Sequence, residues 1–99
     1  MRRAARVDAN HAAIVNGLRA CGWTVLDLSA VGGGCPDLLC GGSGVNVLLE
    51  CKDGDKTASR IKLTQDQQTF HTAWRGQTAI VKSLEEAIMV MRLASGMVI

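Results

Sequence analysis

Apolar positions recur at three- and four-residue intervals from Val7 to Cys21: Val7, His11, Ile14, Leu18 and Cys21 fall on one stripe. That period predicts an amphipathic helix with one buried face, and Gly22 stands where such a helix ends. The period then changes. Trp23 to Leu28 reads as a strand, with Trp23, Val25 and Asp27 on one face. The run Gly32-Gly33-Gly34 marks a loop where backbone turns tightly or approaches something closely. Asp37 to Cys40 predicts a short strand, Gly41-Gly42-Ser43-Gly44 its closing turn, and Val45 to Lys52 the second arm of a hairpin. Alternation along that arm puts Val45, Val47, Leu49 and Cys51 on one face, and Asn46, Leu48, Glu50 and Lys52 on the other.

Residues 53–62 are polar and charged and read as a loop. A second helix is predicted from Thr64 to Trp74, with Leu63, Gln67, Phe70 and Trp74 on one face and Gly76 at its end. Thr78 to Lys82 reads as a further strand. Ser83 and Glu86 match a capping box for a last helix that buries Leu84, Ala87, Ile88 and Met91. The resulting order is α-β-β-β-α-β-α. It predicts one α/β domain over residues 1–99, a mixed sheet flanked by helices. The helix between the last two strands allows a parallel crossover.

Composition narrows the picture little. The chain has 99 residues, 47% hydrophobic and 20% charged, as a single globular domain requires. The formal net charge of +2 permits nucleic-acid binding without arguing for it. The distribution says more: Arg2, Arg3 and Arg6 crowd the start, and Lys52, Lys56, Arg60 and Lys62 cluster mid-chain. Such clusters meet phosphates or simply face solvent. With 3% aromatic residues, a base-stacking platform for single strands is not supported.

The cysteines Cys21, Cys35, Cys40 and Cys51 lie mostly beside apolar runs, and the Met-Arg-Arg start is not followed by the apolar core of a signal peptide. Buried free thiols in a reducing, cytoplasmic setting are therefore expected. There is no C-x-x-C pair, and His11 and His71 lack zinc-motif spacing, so a structural zinc is not expected. No apolar run approaches membrane-spanning length. The glycine loop is not a phosphate loop, because no Gly-Lys-Ser/Thr follows it.

Three ionisable groups are placed unusually. Asp37 opens one hairpin strand, and Glu50 and Lys52 end the other. A carboxylate and an ammonium that finish a run such as Val-Leu-Leu must be paired, exposed or metal-bound. Two carboxylates from adjacent strands supply a protein's share of a Mg²⁺ site. A lysine beside them can orient a water or stabilise charge on a phosphorane-like transition state. The competing reading is a surface salt bridge at Lys52, with Asp37 capping a turn after Pro36. Gln67 has two compatible readings: a capping box with Thr64, and an inward position beside Phe70 and Trp74.

Pro36-Asp37 followed by Glu50-Cys51-Lys52 resembles the signature of the PD-(D/E)xK nucleases. The blocks "VGGGCPDLLCG", "NVLLECKDG" and "LTQDQQTFHTAW" resemble, in order and spacing, the small stand-alone VRR-NUC type nucleases. Many of these are phage-encoded, and they are related to Holliday-junction resolvases. The resemblance runs from Asp8 to about Met91. It implies a restriction-endonuclease-like core and Mg²⁺- or Mn²⁺-dependent hydrolysis of DNA phosphodiesters, with branched or junction DNA as the expected substrate.

Carried over by position, Asp37, Glu50 and the Cys51 backbone carbonyl would hold the metal. Lys52 would be the catalytic lysine, and Gln67 would position it. Gly33 and Gly34 of the glycine turn, with Arg2, Arg3, Arg6, Lys56, Arg60 and Lys62, would contact DNA. Many relatives carry a first-helix glutamate. Here Asn10 stands nearest, with Asp8 two residues earlier, acting either as its substitute or as an exposed helix cap. His11, on the apolar stripe, reads as a satisfied core histidine. A branched, near two-fold substrate implies a homodimer, with the last helix and the Met97-Val98-Ile99 tail as the candidate face. The rival reading is a non-catalytic DNA-binding domain with the same fold.

Overall fold

The computed structural model describes residues 10–53 and 63–96. Within them the chain runs α1 (His11–Ala20), β1 (Thr24–Asp27), β2 (Leu38–Gly42), β3 (Val45–Cys51), α2 (Gln65–Ala73), β4 (Thr78–Val81) and α3 (Leu84–Ala94). This is the predicted α-β-β-β-α-β-α order. The strands form one sheet in the order β1-β2-β3-β4. β1, β2 and β3 are joined antiparallel, whereas β4 lies parallel to β3. A parallel neighbour needs a crossover, and α2 lies in it. No helix among the described residues is long and apolar enough to cross a membrane.

One face of the sheet carries the core. Leu38 and Cys40 of β2 face Leu49 and Val47 of β3 in register, and all four are buried. α1 adds Ile14, Val15 and Leu18, and α3 adds Ala87 and Met91. Leu84 and Ile88, predicted as buried, are half-buried against this cluster. The alternation predicted along β3 holds as geometry, but burial does not alternate: every residue from Val47 to Cys51 is buried. A central strand covered on both sides has no solvent face, so a polar residue there must find partners inside the protein.

Three local expectations are corrected. Cys21 is exposed rather than on the buried stripe, because α1 ends at Ala20 and Trp23 N–H turns back onto Leu18 O at 3.1 Å. Gly41 and Gly42 belong to β2 rather than to the turn, since Gly42 pairs with Val45. The loop is Ser43-Gly44 alone, both at positive φ (50° and 80°), the geometry that a two-residue hairpin with native twist requires. The α3 box is displaced by one residue. Ser83 Oγ accepts from Glu86 N–H at 3.1 Å as predicted, but Glu86 Oε1 accepts from Lys82 N–H at 2.8 Å. α2 matches closely: Thr64 is its N-cap, and the Gln67 side chain closes a complete capping box.

At the sheet edge, Asp27 Oδ1 accepts from Ser29 N–H at 2.8 Å, and Oδ2 meets His11 Nε2 at 3.1 Å. Bonding to Ser29 first, then to His11, holds the carboxyl at about 2, below its usual 3.8. A depressed folded value contributes stability above pH 3.8 that disappears as pH falls through 2. Asp27→Asn is therefore expected to flatten the loss of stability between about pH 4 and pH 2. Denaturant unfolding at stepped pH checks this; parallel acid slopes in the two proteins would refute it.

Candidate active site

The site lies where β2 begins and β3 ends, which antiparallel pairing brings together. Leu38 pairs with Leu49, so one step further sets Asp37 across from Glu50. Asp37 Oδ2 accepts from Cys51 N–H at 2.8 Å, locking the carboxylate against the strand end. In an antiparallel ladder a residue's N–H and C=O point to the same flank, so the Cys51 carbonyl faces the Asp37 side. Glu50 is 2% exposed. The Cys35 thiol is pushed up by burial first, then by the charges of Glu50 and Asp37. Both carboxylates thus act on one spot, which favours a cation there.

α2 supplies the third side. Gln67 N–H donates to Thr64 Oγ1 at 3.2 Å, and Thr64 N–H donates back to Gln67 Oε1 at 2.9 Å. The same Oε1 also accepts from Lys52 Nζ at 2.9 Å, while Gln67 Nε2 donates to Glu50 Oε2 at 3.1 Å. Both sequence readings of Gln67 therefore hold at once. Its amide caps the helix, grips the ammonium and grips the carboxylate. Lys52 Nζ lies 3.9 Å from Glu50 Oε2, with 12% of the lysine side chain exposed. This is not the surface salt bridge that the sequence left open.

Gly34 explains how α2 comes so close. It has φ 83°, and a Cβ there would sit 2.3 Å from the Asp66 carbonyl oxygen. The glycine loop therefore lies directly on the first turn of α2. This packing gives Gly34 a role beside the DNA contact that the resemblance implies; Gly33, also at positive φ, has open space beside it.

One turn beyond Gln67, His71 Nδ1 bonds with Thr78 Oγ1 at 3.2 Å. Burial, then the Lys52 charge, pushes the His71 pKa down, which favours a neutral ring. Phe70 and Trp74 stack at 5.3 Å between centroids, although Trp74 remains 46% exposed.

The first-helix position holds Asn10, whose Oδ1 is buried without a hydrogen-bond partner among the described residues. Asn10 Nδ2 donates to Lys52 O at 3.0 Å and to Lys82 O at 2.8 Å, tying α1 to the ends of β3 and β4. Asp8, Arg2, Arg3, Arg6, Lys56, Arg60 and Lys62 lie outside the described residues, as does the Met97-Val98-Ile99 tail.

Sequence reading missed the surroundings of His11. Its Nε2 is taken by Asp27, but Nδ1 is buried without a hydrogen-bond partner among the described residues. A ring nitrogen of His11, a carboxylate oxygen of Asp37 and the Cys51 sulfur all lie within 4.8 Å of one another. No local motif signals this grouping, because its members come from α1, the approach to β2 and the end of β3.

The sequence matches no family model, and comparisons with curated proteins and with solved structures return no match.

Proposed function

We propose that this chain is a metal-dependent DNA endonuclease acting on duplex or branched DNA. The observation that carries the reading is the Glu50–Gln67–Lys52 array: a buried carboxylate and an ammonium gripped by one amide. Burying such charges is costly, and the residues are held in place rather than merely neutralised. The donor set fits a hard divalent cation, with Asp37, Glu50 and the Cys51 carbonyl as oxygen ligands. Mg²⁺ or Mn²⁺ bound there would supply an acidified water and neutralise phosphate charge.

The chain's own residues do the rest. Lys52 presents its ammonium where charge develops on the phosphate oxygens, and Gln67 keeps it from wandering. Glu50 and Asp37 hold charge against a cation that phosphate alone would bind loosely. His71, in its neutral form, adds no second positive charge beside Lys52. The basic clusters at the chain start and in residues 56–62 would bind backbone phosphates. A symmetric pair of chains, meeting through exposed α3 positions such as Met89 and Leu93, would suit a branched substrate.

Purified protein is expected to cut at least one of duplex, single-stranded, flapped or four-way DNA with Mg²⁺ and none with EDTA. Inactivity across that panel, with binding intact, would favour the non-catalytic DNA-binding reading instead.

A further inference from the structure

We propose that His11, Asp37 and Cys51 form a second metal site, on the α1 side of the sheet, for a borderline-soft divalent ion of the zinc class. Three donors of different elements converge there within 4.8 Å of one another. Zinc bonds of about 2.0–2.3 Å set tetrahedral ligand separations of roughly 3.3–3.8 Å, so small side-chain rotations close the site. A thiolate and an imidazole select against Mg²⁺ and for zinc-class ions.

The histidine is prepared for this role. Asp27 Oδ2 lies 3.1 Å from His11 Nε2, and because a carboxylate oxygen accepts, this contact favours the tautomer with the proton on Nε2. That tautomer leaves a lone pair on Nδ1, which is buried and lacks a hydrogen-bond partner among the described residues. His11 itself is only 8% exposed. A carboxylate behind a histidine is the usual support for a metal-bound ring. Binding the ion releases the Cys51 thiol proton to solvent, and a water completes the coordination.

Asp37 belongs to both sites, and this part of the inference rests on the proposed nuclease reading. Occupation by zinc withdraws Asp37 from the Mg²⁺ ligands, so zinc inhibits cleavage in competition with magnesium.

Cobalt(II) titrated into tag-free, EDTA-treated protein provides the test. One equivalent is expected to give a sulfur-to-cobalt charge-transfer band and intense tetrahedral visible bands, both erased by zinc. Cys51→Ser should remove the charge-transfer band, Asp27→Asn should weaken affinity about 10–100-fold, and Cys35→Ser should change neither. Absence of the band from the wild type, its survival in Cys51→Ser, or its loss in Cys35→Ser would each overturn the site. If Cys51→Ser fails to fold, X-ray absorption of the zinc-loaded wild type decides. One sulfur among lighter ligands supports the site, and a shell with none or several overturns it. Cobalt spectra need no nuclease activity, so an inactive protein with these spectra would refute the nuclease reading alone.

Discussion

Lys52→Met is expected to lower the cleavage rate by about two to three orders of magnitude, the usual cost of removing one preorganised donor from a transition state. The geometry gives two reasons for an effect this large. The ammonium is nearly enclosed, so solvent cannot take its place, and Gln67 Oε1 fixes it at 2.9 Å. The substitution also changes the charge balance. Glu50 and Asp37 would face each other with the nearby ammonium gone, and leaving buried charge uncompensated costs on the order of 3 kcal/mol. The metal-free variant should therefore melt earlier than the wild type, and Mg²⁺ should recover part of the difference. Single-turnover cleavage and thermal melts with and without Mg²⁺ read the two effects separately. A rate within threefold of wild type would remove the lysine from the chemistry.

The second large effect is expected at Gly34. An alanine there has to hold φ 83°, at a cost of about 1–2 kcal/mol. It also drives its Cβ into the Asp66 carbonyl, which is backbone and cannot rotate away. The first turn of α2 must then retreat by about an ångström, and Gln67 retreats with it. Misplacement on that scale costs roughly 10²-fold in rate. Gly22→Ala serves as the comparison: φ is 94°, with nothing within 4 Å, so it carries strain without the collision. Gly22→Ala should lose similar intrinsic stability while cleaving normally. If both variants lose activity alike, the docking of α2 on the glycine loop is not what positions the site.

The elements were legible because their signals are local. Ile14, Leu18 and Met91 declare their helices by spacing, and Thr64 with Gln67 declares a cap. Lys52 and Glu50 could be assigned to one face of a strand from alternation alone. Three features could not be read this way. Glu50's surroundings depend on α2 bringing Gln67 against it, which no period in β3 records. Cys21 looked apolar and periodic, yet its exposure depends on where the chain turns toward Trp23. The company of His11 depends on residues 26 and 40 positions away, joined only after the sheet forms. Gln67 shows the reverse case: its two readings from the sequence are compatible, and one amide has enough hydrogen-bonding capacity for both.

α2 has no buried residue, yet it alone delivers Gln67. An element held by so little apolar contact opens at a lower free energy than the sheet beneath it. Competence would then be a matter of occupancy in time: each molecule switches between an assembled and a dismantled site while its core stays folded. Slow hydrogen exchange in β3 beside fast exchange in α2 would be the signature. A bound substrate that presses on α2 would raise the assembled fraction, making the enzyme most ready when its target is already in place.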